Sequence, residues 1–97
     1  MARSLLERRL SELSDRMKRV RADLGVAEEQ LAHFADEADD ARLRALVAET
    51  PLAEQVHREA QKHAEAMRRH REELTAEIRD LERAQDDLLD RLTADRS

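Results

Sequence analysis

The chain has 97 residues, of which 42% are charged and only one, Phe34, is aromatic. This composition excludes a broad globular core, and the absence of cysteine excludes disulfides, Cys-ligated zinc and thiol catalysis. A single Gly and a single Pro leave little turn chemistry. The composition therefore predicts one all-α domain built from long helix or coiled coil.

The N-terminal residues carry acidic side chains and no long apolar run, which argues against a secretory signal. No segment is long and apolar enough to predict a transmembrane helix. We therefore expect a cytoplasmic protein that has no membrane partner.

The first half of the chain carries a heptad seam. Its apolar residues alternate between spacings of four and three over nearly five repeats. This pattern predicts a first helical arm over about residues 3–38. The seam consists of Leu6, Leu10, Leu13, Met17, Val20, Leu24, Ala27, Leu31, Phe34 and Ala38.

The second half carries a matching seam with three polar members. Thr50 is a good N-cap and Pro51 a favoured first helical residue, so the pair predicts the start of a second arm over about residues 51–94. This seam consists of Ala53, His57, Ala60, Ala64, Met67, Arg71, Leu74, Ile78, Leu81, Gln85, Leu88 and Leu92.

The two seams match when the chain is folded back about Glu49. Large side chains of one arm then face large side chains of the other, and the long Arg71 falls opposite the small Ala27. The sequence thus predicts an antiparallel two-helix coiled-coil hairpin over residues 1–97, with a short helix or turn at a tip of about residues 39–50. An intrachain hairpin and a swapped dimer both satisfy this pairing.

Charge is distributed in agreement with a hairpin. Residues 1–23 carry seven basic and four acidic side chains, and residues 80–97 carry three basic and six acidic ones, so these segments neutralise each other when side by side. Residues 24–56 carry eight acidic and two basic side chains. The net charge of −5 is therefore expected to lie near the tip.

The residues before the predicted turn form the candidate site. One interpretation is structural, and it predicts a helix end. Asp39 or Asp40 would be the N-cap of a short helix over residues 41–48. The aliphatic side chains of that helix would then join Leu52 and Val56 in a small apolar cluster, or apolar cap, that closes the hairpin. The other interpretation is functional, and it predicts that the same residues form a contact surface for a protein partner. The candidate residues are Asp36, Glu37, Asp39, Asp40, Leu43, Leu46 and Val47.

Other chemistry finds little support in the sequence. His63 and His70 are one heptad apart, about 10 Å along a helix, which is too far for one metal ion. We find no nucleophile with a neighbouring base and no Gly-rich phosphate loop, so we expect neither an enzyme nor a cofactor. Acidic residues of the opposing arm can neutralise the basic ones, so direct binding to nucleic acid is not expected.

Asp36, Asp39 and Ala41 fit a D-x-x-D-x-A spacing that resembles the coiled-coil tip of DksA-type factors. That family, like the Gre factors, inserts an antiparallel coiled coil into the secondary channel of RNA polymerase, where its acidic tip acts near the catalytic magnesium. The resemblance implies that Asp36 and Asp39 are tip acids, that Ala41 is the tip alanine, and that RNA polymerase is the partner. This chain has neither the cysteine zinc finger nor the globular domain with which those factors hold the polymerase.

The chain as a whole also resembles small helical-hairpin proteins of GC-rich Actinobacteria that have a similar FADEADDARLRALV centre. This second resemblance implies no activity.

Three hypotheses for function follow from the sequence. The first is a non-enzymatic interaction module that presents an acidic and aliphatic tip to a protein partner. The second is a transcription regulator that inserts this tip into the polymerase secondary channel. The third is a structural coiled coil that oligomerises, because Leu5 and Leu89 add apolar surface at the base, outside the seams, consistent with a homodimer there.

Overall fold

The computed structural model describes residues 2–95, which form two α-helices joined by a two-residue turn. Helix α1 spans Ala2–Ala48 and helix α2 spans Pro51–Asp95. The helices run antiparallel and contact each other within one chain, for example through an ion pair between Arg16 and Glu77. The predicted all-α antiparallel hairpin is therefore confirmed.

The two predicted seams form the interface between the helices. Among the side chains that the structure describes, seven apolar ones are buried; six of them belong to these seams, and the seventh, Ala41, continues the first seam at the same spacing. Burial of such a stripe on each helix supplies most of the stability that long, highly charged helices lack on their own. The buried side chains are Met17, Val20, Ala27, Leu31, Ala41, Ala64 and Leu74.

The hairpin divides into two compact units, each made of one segment of α1 and one of α2. The terminal unit consists of residues 1–23 and 74–97, and the turn unit consists of residues 24–73. In the turn unit the Phe34 ring packs edge-on against His63, with 5.7 Å between ring centroids. The turn unit contains every residue of the candidate site.

Helix α1 ends in a left-handed cap. Glu49 has a φ of 52°, and its N–H donates a hydrogen bond to the Ala45 carbonyl at 3.0 Å. This single bond closes the last turn of α1 in the manner of the αL motif, in which the residue after the helix reverses the backbone. Glu is an unusual occupant, because a β-carbon raises the energy of this conformation relative to glycine.

Helix α2 begins directly after that cap, as predicted. The Thr50 hydroxyl accepts a hydrogen bond from the Ala53 N–H at 3.2 Å, which is the geometry of an N-cap. The Thr50 carbonyl accepts the Glu54 N–H at 3.1 Å. Pro51 occupies the first helical position, where the helix needs no hydrogen bond from the N–H that proline lacks.

The tip is smaller than predicted, because α1 extends ten residues past its expected end. Residues 41–48 are the last two turns of α1 and not a separate helix, so of the two expected arrangements the structure has the turn. Ala41 and Ala45 follow Ala38 at spacings of three and four, so α1 keeps the spacing that packs on α2. Among residues 2–95, only Glu49 and Thr50 lie outside the helices.

The expected capping by Asp39 or Asp40 is wrong. Both residues lie inside α1, two turns before its end, where every backbone N–H already has a helical partner. No new helix starts there, so no N-cap is required.

One polar member of the second seam is left without a partner. The His57 Nε2 atom is buried, and no group of the described residues forms a hydrogen bond with it. His57 lines a small pocket together with Ala45 and Leu46 of α1 and Glu54 and Arg58 of α2. A buried nitrogen without a hydrogen bond destabilises the fold, so His57 is a weak point in the interface.

Candidate interaction surface

The last four turns of α1 present one continuous stripe of side chains, which we call the outer stripe. Its members follow the spacing i, i+3, i+4, i+7, i+10 and i+11, which places them within an arc of roughly 120° on an α-helix. The seam residues Ala38, Ala41 and Ala45 lie on the opposite side of the same turns. The outer stripe consists of Asp36, Asp39, Asp40, Leu43, Leu46 and Val47.

The aliphatic half of the outer stripe is strongly exposed. Leu43, Leu46 and Val47 are 55%, 64% and 86% exposed. Burying apolar surface is favourable by about 25 cal/mol per Å², so leaving these side chains in water forgoes that free energy. Three large aliphatic side chains on one helical face therefore form a surface that gains free energy when a partner covers it.

The acidic half lies directly before it on the same face. Asp36, Asp39 and Asp40 are exposed, and their centre is about seven residues, or roughly 10 Å, from the centre of the aliphatic group. Within the described part of the chain, none of these three carboxylates takes part in an ion pair. Their charge is thus free to act on an incoming molecule.

Glu37, the seventh candidate residue, stands apart from the outer stripe. Its carboxylate lies 3.1 Å from the Nε2 atom of His33, one helical turn earlier. Together with Asp40 it also borders a shallow groove that α2 lines with Val56 and Ala60. The structure therefore brings six of the seven candidates onto one face and leaves Glu37 at its flank.

The expected apolar cap over the turn is wrong. Leu52 and Val56 are 71% and 44% exposed, and the aliphatic residues of α1 do not cover them. The cap required residues 41–48 to fold back as a separate helix, whereas their continuation of α1 directs the aliphatic side chains away from the interface. The surface near the turn is consequently more apolar than the sequence suggested.

The D-x-x-D-x-A residues do not share one surface. Asp36 and Asp39 are exposed on the outer stripe, whereas Ala41 is only 3% exposed and lies in the seam. The two acids precede Glu49 by 13 and 10 residues, which is about 20 and 15 Å along a helix. They thus lie on the side of the helix and not at its end.

Two of the histidines, His33 and His63, pack against Phe34. The His63 ring contacts Phe34 from α2, and the His33 ring packs against the same Phe34 from α1, with 5.6 Å between centroids. Across the residues that the structure describes, no group of three or more His, Asp or Glu side chains is placed to hold a metal ion. Over the same residues, neither helix contains a stretch apolar and long enough to cross a membrane.

Comparison with known proteins adds no relative. No family model matches the chain, and neither the curated proteins nor the solved structures contain a significant match.

Proposed function

We propose that this chain is a non-enzymatic protein–protein interaction module, in which the coiled-coil hairpin holds an acidic and aliphatic surface near its turn for a protein partner. The observation that carries the proposal is the exposure of Leu43, Leu46 and Val47 on a face that also carries Asp36, Asp39 and Asp40. The seam on the opposite side of the same turns fixes this face, so the surface is organised before it meets a partner.

The turn supports the proposal because hydrogen bonds cap both the end of α1 and the start of α2. Because the segment between the two helices consists of just Glu49 and Thr50, the aliphatic residues belong to a continuous helix and not to a loop. A preorganised helix loses little conformational entropy on binding, which favours affinity for a given contact area.

The proposal is tested by site-specific photo-crosslinking in cells of the source organism. A photoreactive amino acid at Val47 is expected to give a discrete protein adduct, because this side chain is the most exposed of the three aliphatic ones. The same amino acid at Gln61, an exposed position of α2 in the turn unit, serves as the control. Equal adducts from the two positions, or none from Val47, would contradict the proposal.

In the part of the chain that the structure describes, no feature favours the polymerase hypothesis over a general interaction module. Its expected tip acids lie well before the turn, and its expected tip alanine is buried. The hypothesis is tested with the purified RNA polymerase of the source organism. Crosslinking of that enzyme from position 36 or 39, lost on competition with a known secondary-channel factor, would make the polymerase hypothesis the leading one.

A further inference from the structure

We propose that the outer stripe of α1 binds a basic amphipathic helix of a partner protein, which packs alongside α1 as a third helix. The inference rests on the proposed function and deepens it, because it names the face that makes the contact and the chemistry of the partner. Its basis is the order of the stripe, with one acidic group followed by one aliphatic group on the same face.

The aliphatic group has the spacing that helices use to pack on other helices. Leu43, Leu46 and Val47 follow i, i+3 and i+4, so they form a ridge that fits between the side chains of a neighbouring helix. Elsewhere in the described chain, exposed large aliphatic residues of α1 occur singly, at Leu5 and Val26. Only near the turn do three of them share one face of a helix.

The acidic group indicates the charge of the incoming helix. Asp36, Asp39 and Asp40 place three unpaired carboxylates about 10 Å before the aliphatic group. A partner helix with apolar residues at one end of its contact face and Lys or Arg about two turns away would match both groups. Such complementarity also speeds association and selects against partners of the wrong charge.

The same charges argue against other occupants. Phosphates of nucleic acid and of anionic lipid are repelled by three carboxylates next to the apolar surface. A second copy that packed through the same stripe in parallel would set Asp36, Asp39 and Asp40 against their own equivalents. A basic helix is the occupant for which both halves of the stripe are favourable.

The first test uses a defined probe and the full chain. A synthetic amphipathic helix of Leu and Lys at heptad spacing is titrated into the ¹⁵N-labelled protein, with a peptide that has Glu in place of Lys as the control. We expect amide shifts concentrated in residues 36–47 for the Leu–Lys peptide and no binding of the Leu–Glu peptide. Equal binding of both peptides, or shifts spread over the other acidic segments, would overturn the inference.

Matched variants separate the two halves of the stripe. Neutralising its acids in the variant Asp36→Asn/Asp39→Asn/Asp40→Asn should weaken binding of the Leu–Lys peptide about tenfold at low salt. The control removes three exposed carboxylates from the terminal unit and should change affinity less than about twofold. That control is Asp86→Asn/Asp87→Asn/Asp90→Asn.

The apolar half has its own pair of variants. Leu46→Ser should weaken peptide binding about tenfold, because it removes the aliphatic side chain at the centre of the group. Leu5→Ser, at an exposed leucine of the terminal unit, should leave it unchanged. Helix content and melting temperature of every variant are measured by circular dichroism, so that unfolding is not mistaken for lost binding. Equal effects of Leu46→Ser and Leu5→Ser would overturn the inference.

Failure of this inference is distinguishable from failure of the proposed function. When the adduct formed at Val47 is digested and sequenced, the partner segment should be a helix rich in Lys or Arg. An adduct with a segment that is neither basic nor helical would overturn the third-helix inference and leave the interaction module standing. Absence of any adduct would remove the proposed function and this inference together.

Discussion

At the residue scale, Glu49 holds a backbone conformation that suits glycine better than glutamate. Its positive φ is imposed by the need to reverse the chain between two long helices, and its N–H completes the cap on Ala45. The sequence signal for the turn was in Thr50 and Pro51, which start the second helix as predicted. Glu49 itself carries no such signal, because Glu is not a typical left-handed residue.

Glu49→Gly should stabilise the hairpin by about 1 kcal/mol, because glycine removes the steric penalty of the left-handed backbone. Thermal or urea unfolding followed by circular dichroism measures the change. As a control, Ala32→Gly places glycine at an exposed position inside α1 and should destabilise the fold by about 1 kcal/mol. A loss of stability in Glu49→Gly would mean that the glutamate side chain makes an essential contact.

His57→Leu should raise the free energy of unfolding by about 1–3 kcal/mol, since it removes a buried nitrogen that has no hydrogen bond. Chemical denaturation provides the measurement. His70→Leu, on an exposed part of the same helix, is the matched control and should change stability little. If His57→Leu destabilises the protein instead, the buried nitrogen is not a net cost to the fold and the role of His57 as a weak point is refuted.

At the element scale, the helices were predicted well where large apolar residues recur. The predicted seam of α1 ends at Ala38, but in the structure Ala41 and Ala45 continue it at the same spacing. Small alanines give a weak apolar signal, while Leu43, Leu46 and Val47 on the opposite face suggested a new helix of different phase. By periodicity alone, a continuing helix with apolar residues on its outer face cannot be distinguished from the start of a new helix.

The candidate site was predicted as a set of residues and not as a surface. Six of its seven members share the outer stripe only because α1 runs unbroken to Ala48. Once that continuity is known, the spacing in the sequence is sufficient to place them. The i, i+4 spacing of His33 and Glu37 permits their pairing but does not require it, so only the structure shows that they pair.

Two valines of α1 test the assignment of its faces. Val20 is 5% exposed in the seam, whereas Val26 is 54% exposed. Val20→Ala should reduce the free energy of unfolding by about 2 kcal/mol, through lost burial and a cavity that relaxes only in part. Val26→Ala should change it by less than about 0.5 kcal/mol, as expected for an exposed residue. Similar losses from both variants in urea unfolding would refute the assigned interface.

At the scale of the whole molecule, the net charge belongs to one unit. The turn unit has twelve acidic and seven basic side chains, which accounts for the whole net charge of −5. The terminal unit has eleven of each and is neutral. Like charge opposes self-association of the turn units, whereas nothing comparable opposes it in the terminal unit.

The difference in charge between the two units supports the prediction that any homodimer forms through the base of the hairpin, which is the terminal unit. Leu5 and Leu89 are each 45% exposed in the neutral terminal unit. We expect a concentration-dependent dimer in sedimentation equilibrium, shifted toward monomer by Leu5→Gln/Leu89→Gln. The corresponding pair in the turn unit, Leu43→Gln/Leu46→Gln, should leave the equilibrium unchanged. A wild-type chain that stays monomeric at high micromolar concentration would remove the structural coiled-coil hypothesis.

The connection between Ala48 and Pro51 also selects one alignment of the helices among several. Both seams repeat every seven residues, so sliding one helix along the other by a heptad, about 10 Å, would again set apolar positions against apolar positions. Free helices would populate a mixture of such offsets. A link of only two residues is too short to allow a shift of 10 Å between the helices. It therefore restricts a repetitive sequence to a single alignment.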